Sequence, residues 1–219
     1  MDVYSTEEQQ LESLKKWWAK YGNKVLTVIL VVALSVSGYR YWQHHRQVIA
    51  ETASMQFDDM MKAVKEKDQT TAIAKAERLI NEFDDTPYAS LGALMLAKDA
   101  VETNDYVKAS QHLNWVLEHA NVNDFKLIAR TRLARILMSE NKFDEALGLL
   151  NIQNTNGYET VIQELKGDIY LAQNKIDEAK QALTKAWQSA PETAKSRLVL
   201  RMKLEELGLE NVMEMHRGE

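Results

Sequence analysis

Cysteine is absent from this chain, and only two prolines, Pro87 and Pro191, and eight glycines occur among its 219 residues. Without thiols there is no disulfide framework, no thiol nucleophile and no cysteine-ligated metal; an oxidising compartment is permitted but not required. Also missing are a glycine-rich phosphate loop, an HExxH zinc helix and a GxSxG nucleophile elbow. No stretch alternates β-branched and polar residues in the manner of strands. Histidines are few. His44 and His45 are adjacent and point about 100° apart on a helix, and His112 and His119 share a face with no third ligand. Glu164 and Asp168 lie four apart, a spacing common on solvated helices, and do not by themselves make an acid–base pair. These absences argue against an enzyme, a cofactor or a metal.

Alanine, leucine, glutamate, lysine and glutamine dominate, the composition of an all-α protein. The chain carries 27 basic and 32 acidic side chains. Six and four of these fall in the first 50 residues, which leaves the remainder at a net charge of −7. A domain so acidic is a poor polyanion binder, so nucleic acid is not an expected partner.

One segment stands apart. Residues 25–39, VLTVILVVALSVSGY, are fifteen residues without a charge between Lys24 and Arg40. At about 1.5 Å per residue the run covers roughly 22 Å, short of the ~30 Å hydrocarbon core. Flanking residues extend it: Lys24 and Arg40 can snorkel, and Trp17, Trp18 and Tyr21 precede it while Tyr39, Tyr41 and Trp42 follow. The expectation is a single transmembrane helix over 25–42, anchored in the lipid bilayer by Trp17, Trp18, Tyr21, Lys24, Arg40, Tyr41 and Trp42. A cleaved signal is disfavoured by four carboxylates within the first twelve residues and by a small-x-small site only at Ser35–Ser37. A buried core helix is disfavoured by the aromatic flanks. Lys15, Lys16, Lys20 and Lys24 outnumber Arg40 and Arg46, which places the amino terminus in the cytoplasm and the rest across the membrane. Leu11, Leu14, Trp18, Tyr21 and Val25 recur at a three–four spacing, so 1–24 reads as an amphipathic cytoplasmic segment.

The remainder, 43–208, contains a repeat, and 209–219 reads as a flexible tail. NDYVKASQHL from Asn104, NKFDEALGLL from Asn141 and NKIDEAKQAL from Asn174 align without gaps. Ala109, Ala146 and Ala179 share one place, and Leu113, Leu150 and Leu183 another. Twelve residues before each alanine stands a small residue: Ala97, Ala134 and Gly167. A weaker first copy puts Ala76 and Ile80 in these places, with Val64 in the small one. Small residues let antiparallel helices approach closely, and one such pair buries its apolar face only by stacking on others. The period, with Gly167, Tyr170, Ala179, Leu183, Ala186 and Pro191 on diagnostic places of the last copy, fits tetratricopeptide repeats. The fold expected is an α-solenoid of about four helix pairs: 51–66 with 70–83, 88–103 with 105–119, 124–140 with 142–152, and 158–173 with 175–189. A capping helix follows at 193–207.

First helices of such pairs line a concave wall. Its expected residues are Leu91, Met95, Lys98 and Val101, then Ile128, Arg132, Arg135 and Met138, then Val161, Leu165, Asp168 and Leu171. This mixed apolar and charged groove suits polypeptide segments better than small molecules.

Three further segments, LKKWWAKYGNKVL, GYRYWQHH and LRMKLEELG, give the chain from 1 to 207 a resemblance to the bacterial YfgM family. The resemblance implies an inner-membrane, single-pass protein with a periplasmic repeat domain. It also implies an ancillary subunit of the SecYEG translocon that works with a PpiD-type chaperone on exported polypeptides. No catalytic residue is carried over. Two alternatives stay open: an envelope-stress regulator acting through the cytoplasmic segment, and an organelle import receptor of the same layout.

Overall fold

The computed structural model describes residues 3–155 and 157–209, with side chains from Gln10 onward. Residues 210–219 of the expected tail at 209–219 and the first side chains of the amphipathic segment lie outside the described residues. Among the described residues there are nine α-helices and no strand. They are α1 (Val3–Glu66), α2 (Gln69–Glu82), α3 (Pro87–Glu102), α4 (Tyr106–His119), α5 (Asn123–Ser139), α6 (Phe143–Leu150), α7 (Glu159–Ala172), α8 (Ile176–Ser189) and α9 (Ser196–Glu206). The chain divides into two units, Met1–Thr52 and Ala53–Glu219.

In the first unit α1 carries the uncharged run. It is long and apolar enough to cross a membrane, and none of its most apolar stretch is covered by protein. Two hydroxyls within the run, those of Thr27 and Ser35, are satisfied locally. Thr27 Oγ1 donates to the Asn23 carbonyl and Ser35 Oγ to the Val31 carbonyl, each at 2.8 Å. That is what a polar group needs where water is excluded. Trp17 lies against Tyr21 with centroids 5.9 Å apart, Tyr39 against Trp42 at 6.2 Å, and the Arg46 guanidinium sits 4.9 Å from the Trp42 ring. The helix continues through 43–52 without interruption, as a stretch lacking Gly and Pro allows.

The second unit begins with the last turns of α1. These pair with α2, followed by the pairs α3–α4, α5–α6 and α7–α8. Every turn inside a pair is built alike. Lys67, Asn104, Asn141 and Asn174 have φ between 59° and 62°, the left-handed region that ends a helix. The next amide donates back across the turn: Asp68 to Ala63, Asp105 to Ala100, Lys142 to Leu137 and Lys175 to Tyr170, at 2.7–2.9 Å. Asp68 and Asp105 then accept from the amides of Thr71 and Lys108, capping α2 and α4. The entry to α3 follows the sequence expectation, with Thr86 as N-cap and Pro87 in the first turn.

This backbone signature corrects the register of the first copy. Five residues after each left-handed residue come Ala72, Ala109, Ala146 and Ala179, all buried. The large place four further on is Ala76 in the first copy, and the small place on the preceding helix is Met60, not Val64. Val64 is exposed. Alanines at 72 and 76 stand on one face of α2, so a one-turn slip preserves the pattern and sequence alone does not detect it.

Close approach occurs at Gly167, as its small place predicts, and also at Gly92, which the repeat pattern did not single out. A Cβ placed on Gly167 of α7 would stand 2.6 Å from Leu183 Cγ of α8, and one on Gly92 of α3 would stand 3.1 Å from the Ala76 carbonyl oxygen of α2. The core runs in successive clusters, one between α3, α4 and α5, one between α5, α6 and α7, and one beneath α9. Leu200 and Leu204 of α9 are fully buried with Leu183, Ala186, Trp187 and Ala190. Arg197 covers the Trp187 ring at 4.2 Å.

Candidate functional site

The twelve expected wall residues do not form one uniform surface. On α3, Met95 is half-buried, while Lys98 and Val101 are exposed and Leu91 is partly covered. On α5, Arg132 and Arg135 are exposed, and Ile128 and Met138 pack their flanks against the core. On α7 the expectation fails in part. Leu165 is only 2% exposed and belongs to the core cluster of α5, α6 and α7, because its place on α7 faces the preceding pair. Leu171 packs beneath α9. Asp168 is taken by α9: Lys203 Nζ lies 2.7 and 2.9 Å from its two carboxylate oxygens and 2.8 Å from Glu164 Oε1. Val161 remains half-buried.

Four of the twelve converge. Lys98, Val101, Arg132 and Arg135 rim a recess of about 560 Å³ between α3, α4 and α5. Its floor is apolar and buried, made by Ala97, Leu113 and Ile136, and Tyr106 closes one side. Met95 and Lys98 also border a smaller recess of about 290 Å³ with Val64, Lys67 and Ala72. The charges are arranged unequally. Lys98 Nζ pairs with Glu102 at 3.3 Å, so these two cancel. Arg132 donates to the Leu94 carbonyl at 3.3 Å, which fixes its guanidinium against α3. Burial, and then the neighbouring Arg135, hold Arg132 below the usual arginine pKa, with Tyr158 opposing; it stays charged at any physiological pH. Arg135 has no hydrogen bond or ion pair among the described residues. An apolar floor with two cations on its rim offers binding energy to an amphipathic ligand.

Sequence reasoning missed Tyr106, Leu113 and Ile136 as parts of this recess. A signal was available for the first. Tyr106, Phe143 and Ile176 all stand two residues after the left-handed asparagine, so a large, largely apolar side chain recurs at that corner of the last three pairs. Among the described residues the histidines do not converge. His119 stacks on Trp115 with centroids 4.5 Å apart, and His112 is half-buried, its pKa pushed down by burial and then by Lys108. Among the described residues no group of three or more His, Asp or Glu side chains is placed to hold a metal ion.

The exposed aromatics and cations of the first unit lie where the sequence puts them. Trp17, Trp18 and Tyr21 are exposed before the run, with Lys20 and Lys24 5.4 and 6.0 Å from the Tyr21 ring, and Arg40, Tyr41 and Trp42 are exposed after it.

A family model described as a tetratricopeptide repeat-like domain matches residues 15–209. The chain is 27% identical over 189 residues to a protein of Escherichia coli K12 named "Ancillary SecYEG translocon subunit", covering 86% of this chain and 89% of that one. Proteins of the same name from Haemophilus influenzae and Neisseria gonorrhoeae are 28% and 27% identical, covering 92% and 94% of this chain and 97% and 100% of theirs. The resemblance to the YfgM family is thus borne out over nearly the whole length. Among solved structures, MamA residues 41 to the end from Desulfovibrio magneticus RS-1 superposes with a TM-score of 0.54 at 14% identity, covering 78% of this chain and 98% of that one. That likeness bears out the helical-repeat fold.

Proposed function

The chain belongs to the tetratricopeptide repeat-like family, and on that premise we propose a membrane-anchored, non-enzymatic polypeptide-binding subunit of the protein-export channel. The name shared by its relatives supports association with SecYEG. The uncharged run of α1 supports a single-pass anchor. The lysine excess before the run supports a cytoplasmic amino terminus and a periplasmic repeat domain. In this reading 1–24 is the cytoplasmic segment, 25–42 the span and 43–208 the periplasmic domain. That domain holds exported polypeptides as they emerge and passes them on in cooperation with a PpiD-type chaperone.

The observation that carries the reading is the recess between α3 and α5. It provides a buried apolar floor and a cationic rim on a repeat domain. Polypeptide segments present both apolar and charged side chains along one line, and a repeat wall reads such segments in extended form. The test is photocrosslinking in living cells from an unnatural residue at Met95 or Arg135. Capture of SecYEG, a PpiD-type chaperone or newly exported chains is expected. No adducts from either position, with a control position on the outer face equally blank, would remove the proposal.

A further inference from the structure

The recess between α3 and α5 has a charge that its surroundings do not explain. The portion of the chain beyond residue 50 carries a net charge of −7. Within the recess Lys98 and Glu102 neutralise each other, and the surplus is the two guanidinium groups of Arg132 and Arg135. These stand three apart on one face of α5 and repel. Arg132 is held in place by one bond to the Leu94 carbonyl, which leaves most of its five donors unused. Arg135 has no anionic partner among the described residues. Two like charges beside the apolar floor of Ala97, Leu113 and Ile136 are an unfavourable arrangement until an anion arrives.

We propose that this recess selects an apolar side chain with a carboxylate directly beside it, the apolar group on the floor and the carboxylate on Arg135 and Arg132. The inference rests on the polypeptide-binding reading above and gives it a sequence preference. The volume of about 560 Å³ is that of a small-ligand pocket, enough for one large side chain and its neighbour. A planar guanidinium fork matches a carboxylate in a way that an ammonium does not. Longer polyanions are repelled by the acidic remainder of the domain, so the selected charge is a single local carboxylate. That carboxylate is an Asp or Glu side chain directly beside the apolar residue, because chains held as they emerge present internal segments, and a peptide with a free chain end tests the other source.

The experiment uses the full chain purified in mild detergent and fluorescent twelve-residue Gly/Ser host peptides. Four are amidated and carry a central Leu-Glu, Leu-Gln, Leu-Lys or Ser-Glu, and a fifth ends in a free Leu carboxylate. Fluorescence anisotropy is followed up to about 1 mM, the weak end of specific recognition. Leu-Glu is expected to bind about tenfold more tightly than Leu-Gln, and Leu-Lys more weakly still. Arg135→Gln is expected to abolish the preference for Leu-Glu over Leu-Gln, and Arg135→Lys to restore part of it. Val101→Ser is expected to narrow the gap between Leu-Glu and Ser-Glu. Circular dichroism identical to the parent shows that each variant is folded. Equal affinity for Leu-Glu, Leu-Gln and Leu-Lys, tight binding of the free chain end alone, or no binding of any peptide overturns the preference. Crosslinks from Met95 to exported chains would then still uphold the broader reading, whereas failure of those crosslinks overturns that reading itself.

Discussion

Gly167 offers the sharpest test of how the helix pairs are assembled. Replacing a glycine inside a helix with alanine ordinarily stabilises by about 0.5–1 kcal/mol, because the unfolded chain loses freedom and the helix gains a better former. At Gly167 the added Cβ would stand 2.6 Å from Leu183 Cγ and 2.8 Å from Cδ2. Leu183 is fully buried, so its branch has nowhere to go without shifting α8. Overpacking costs about 1–3 kcal/mol, and a contact this short with a buried branch point belongs in the upper part of that range, about 2–3 kcal/mol; against a propensity gain of up to about 1 kcal/mol this leaves Gly167→Ala destabilised by about 1–2 kcal/mol. In a unit of this size that is a loss of about 2–8 °C in melting temperature. Gly148 of α6 is the internal control, since nothing lies within 4 Å of a Cβ there; Gly148→Ala should raise stability by about 0.5–1 kcal/mol. Thermal melts by circular dichroism of the full chain in one detergent compare the two. A further arm is the double variant Gly167→Ala/Leu183→Ala. Leu183→Ala alone should cost about 2–5 kcal/mol, and the double variant less than the sum of the singles, because the new methyl enters the space the leucine vacates. If Gly167→Ala stabilises as much as Gly148→Ala, or the double variant is additive, the α7–α8 contact does not depend on the missing side chain and the packing argument is wrong.

Two other outcomes follow from single residues. Lys67 occupies a left-handed position at φ 60° where the later pairs use asparagine, so Lys67→Gly should stabilise by about 0.5–1 kcal/mol in the same melts, whereas Asn141→Ala should destabilise by a similar amount; the opposite order would refute the shared turn. Burial pushes the Lys203 ammonium down, but its hydrogen bonds to Asp168 and Glu164 outweigh that and hold it above the ordinary lysine value of 10.5. A pKa raised by folding stabilises fully below the unfolded value and the contribution fades as pH rises through the folded one. Melting between pH 9 and pH 12 should therefore show a loss in the parent that Lys203→Gln lacks, and parallel curves would contradict the pairing.

What the sequence revealed and what it hid have physical causes. The places of Ala109, Ala146 and Ala179 and of Leu113, Leu150 and Leu183 were legible because close packing admits few residue types. Eight helices are bounded within one to three residues of expectation because left-handed turns and caps recur. The register of the first copy was not legible: Ala72 and Ala76 differ by one turn on the same face, and only the φ of Lys67 and the bond from Asp68 to Ala63 tell them apart. The wall on α7 was misread for another reason. Leu165 and Leu91 look alike in a helical pattern, and only the position of the neighbouring pair decides which is covered. The recess was half legible, since its two arginines were named but its floor comes from α4 and from buried places of α3 and α5.

The end of the repeat explains why the available surface lies where it does. Gly208 has φ 71°, and Leu209 donates to the Leu204 carbonyl at 2.9 Å, which is the same turn that closes the first helix of every earlier pair. The intervals between these left-handed positions are 37, 37, 33 and 34 residues. By this measure α9 is built as the first helix of a fifth unit and not as a detached lid. A first helix lies beside the preceding first helix, which is why Lys203 reaches Glu164 and Asp168 of α7, as Arg132 reaches Leu94 of α3. The two reaches differ in what they leave over. Lys203 is fully engaged by two carboxylates, so the α7 face keeps no free cation and is covered. Arg132 spends only a hydrogen bond on a carbonyl, and Arg135 spends nothing, so the α3–α5 seam keeps two cations above an apolar floor. Repetition of one backbone plan thus gives similar neighbours at both seams, and the choice of acceptor decides which seam stays open to a ligand.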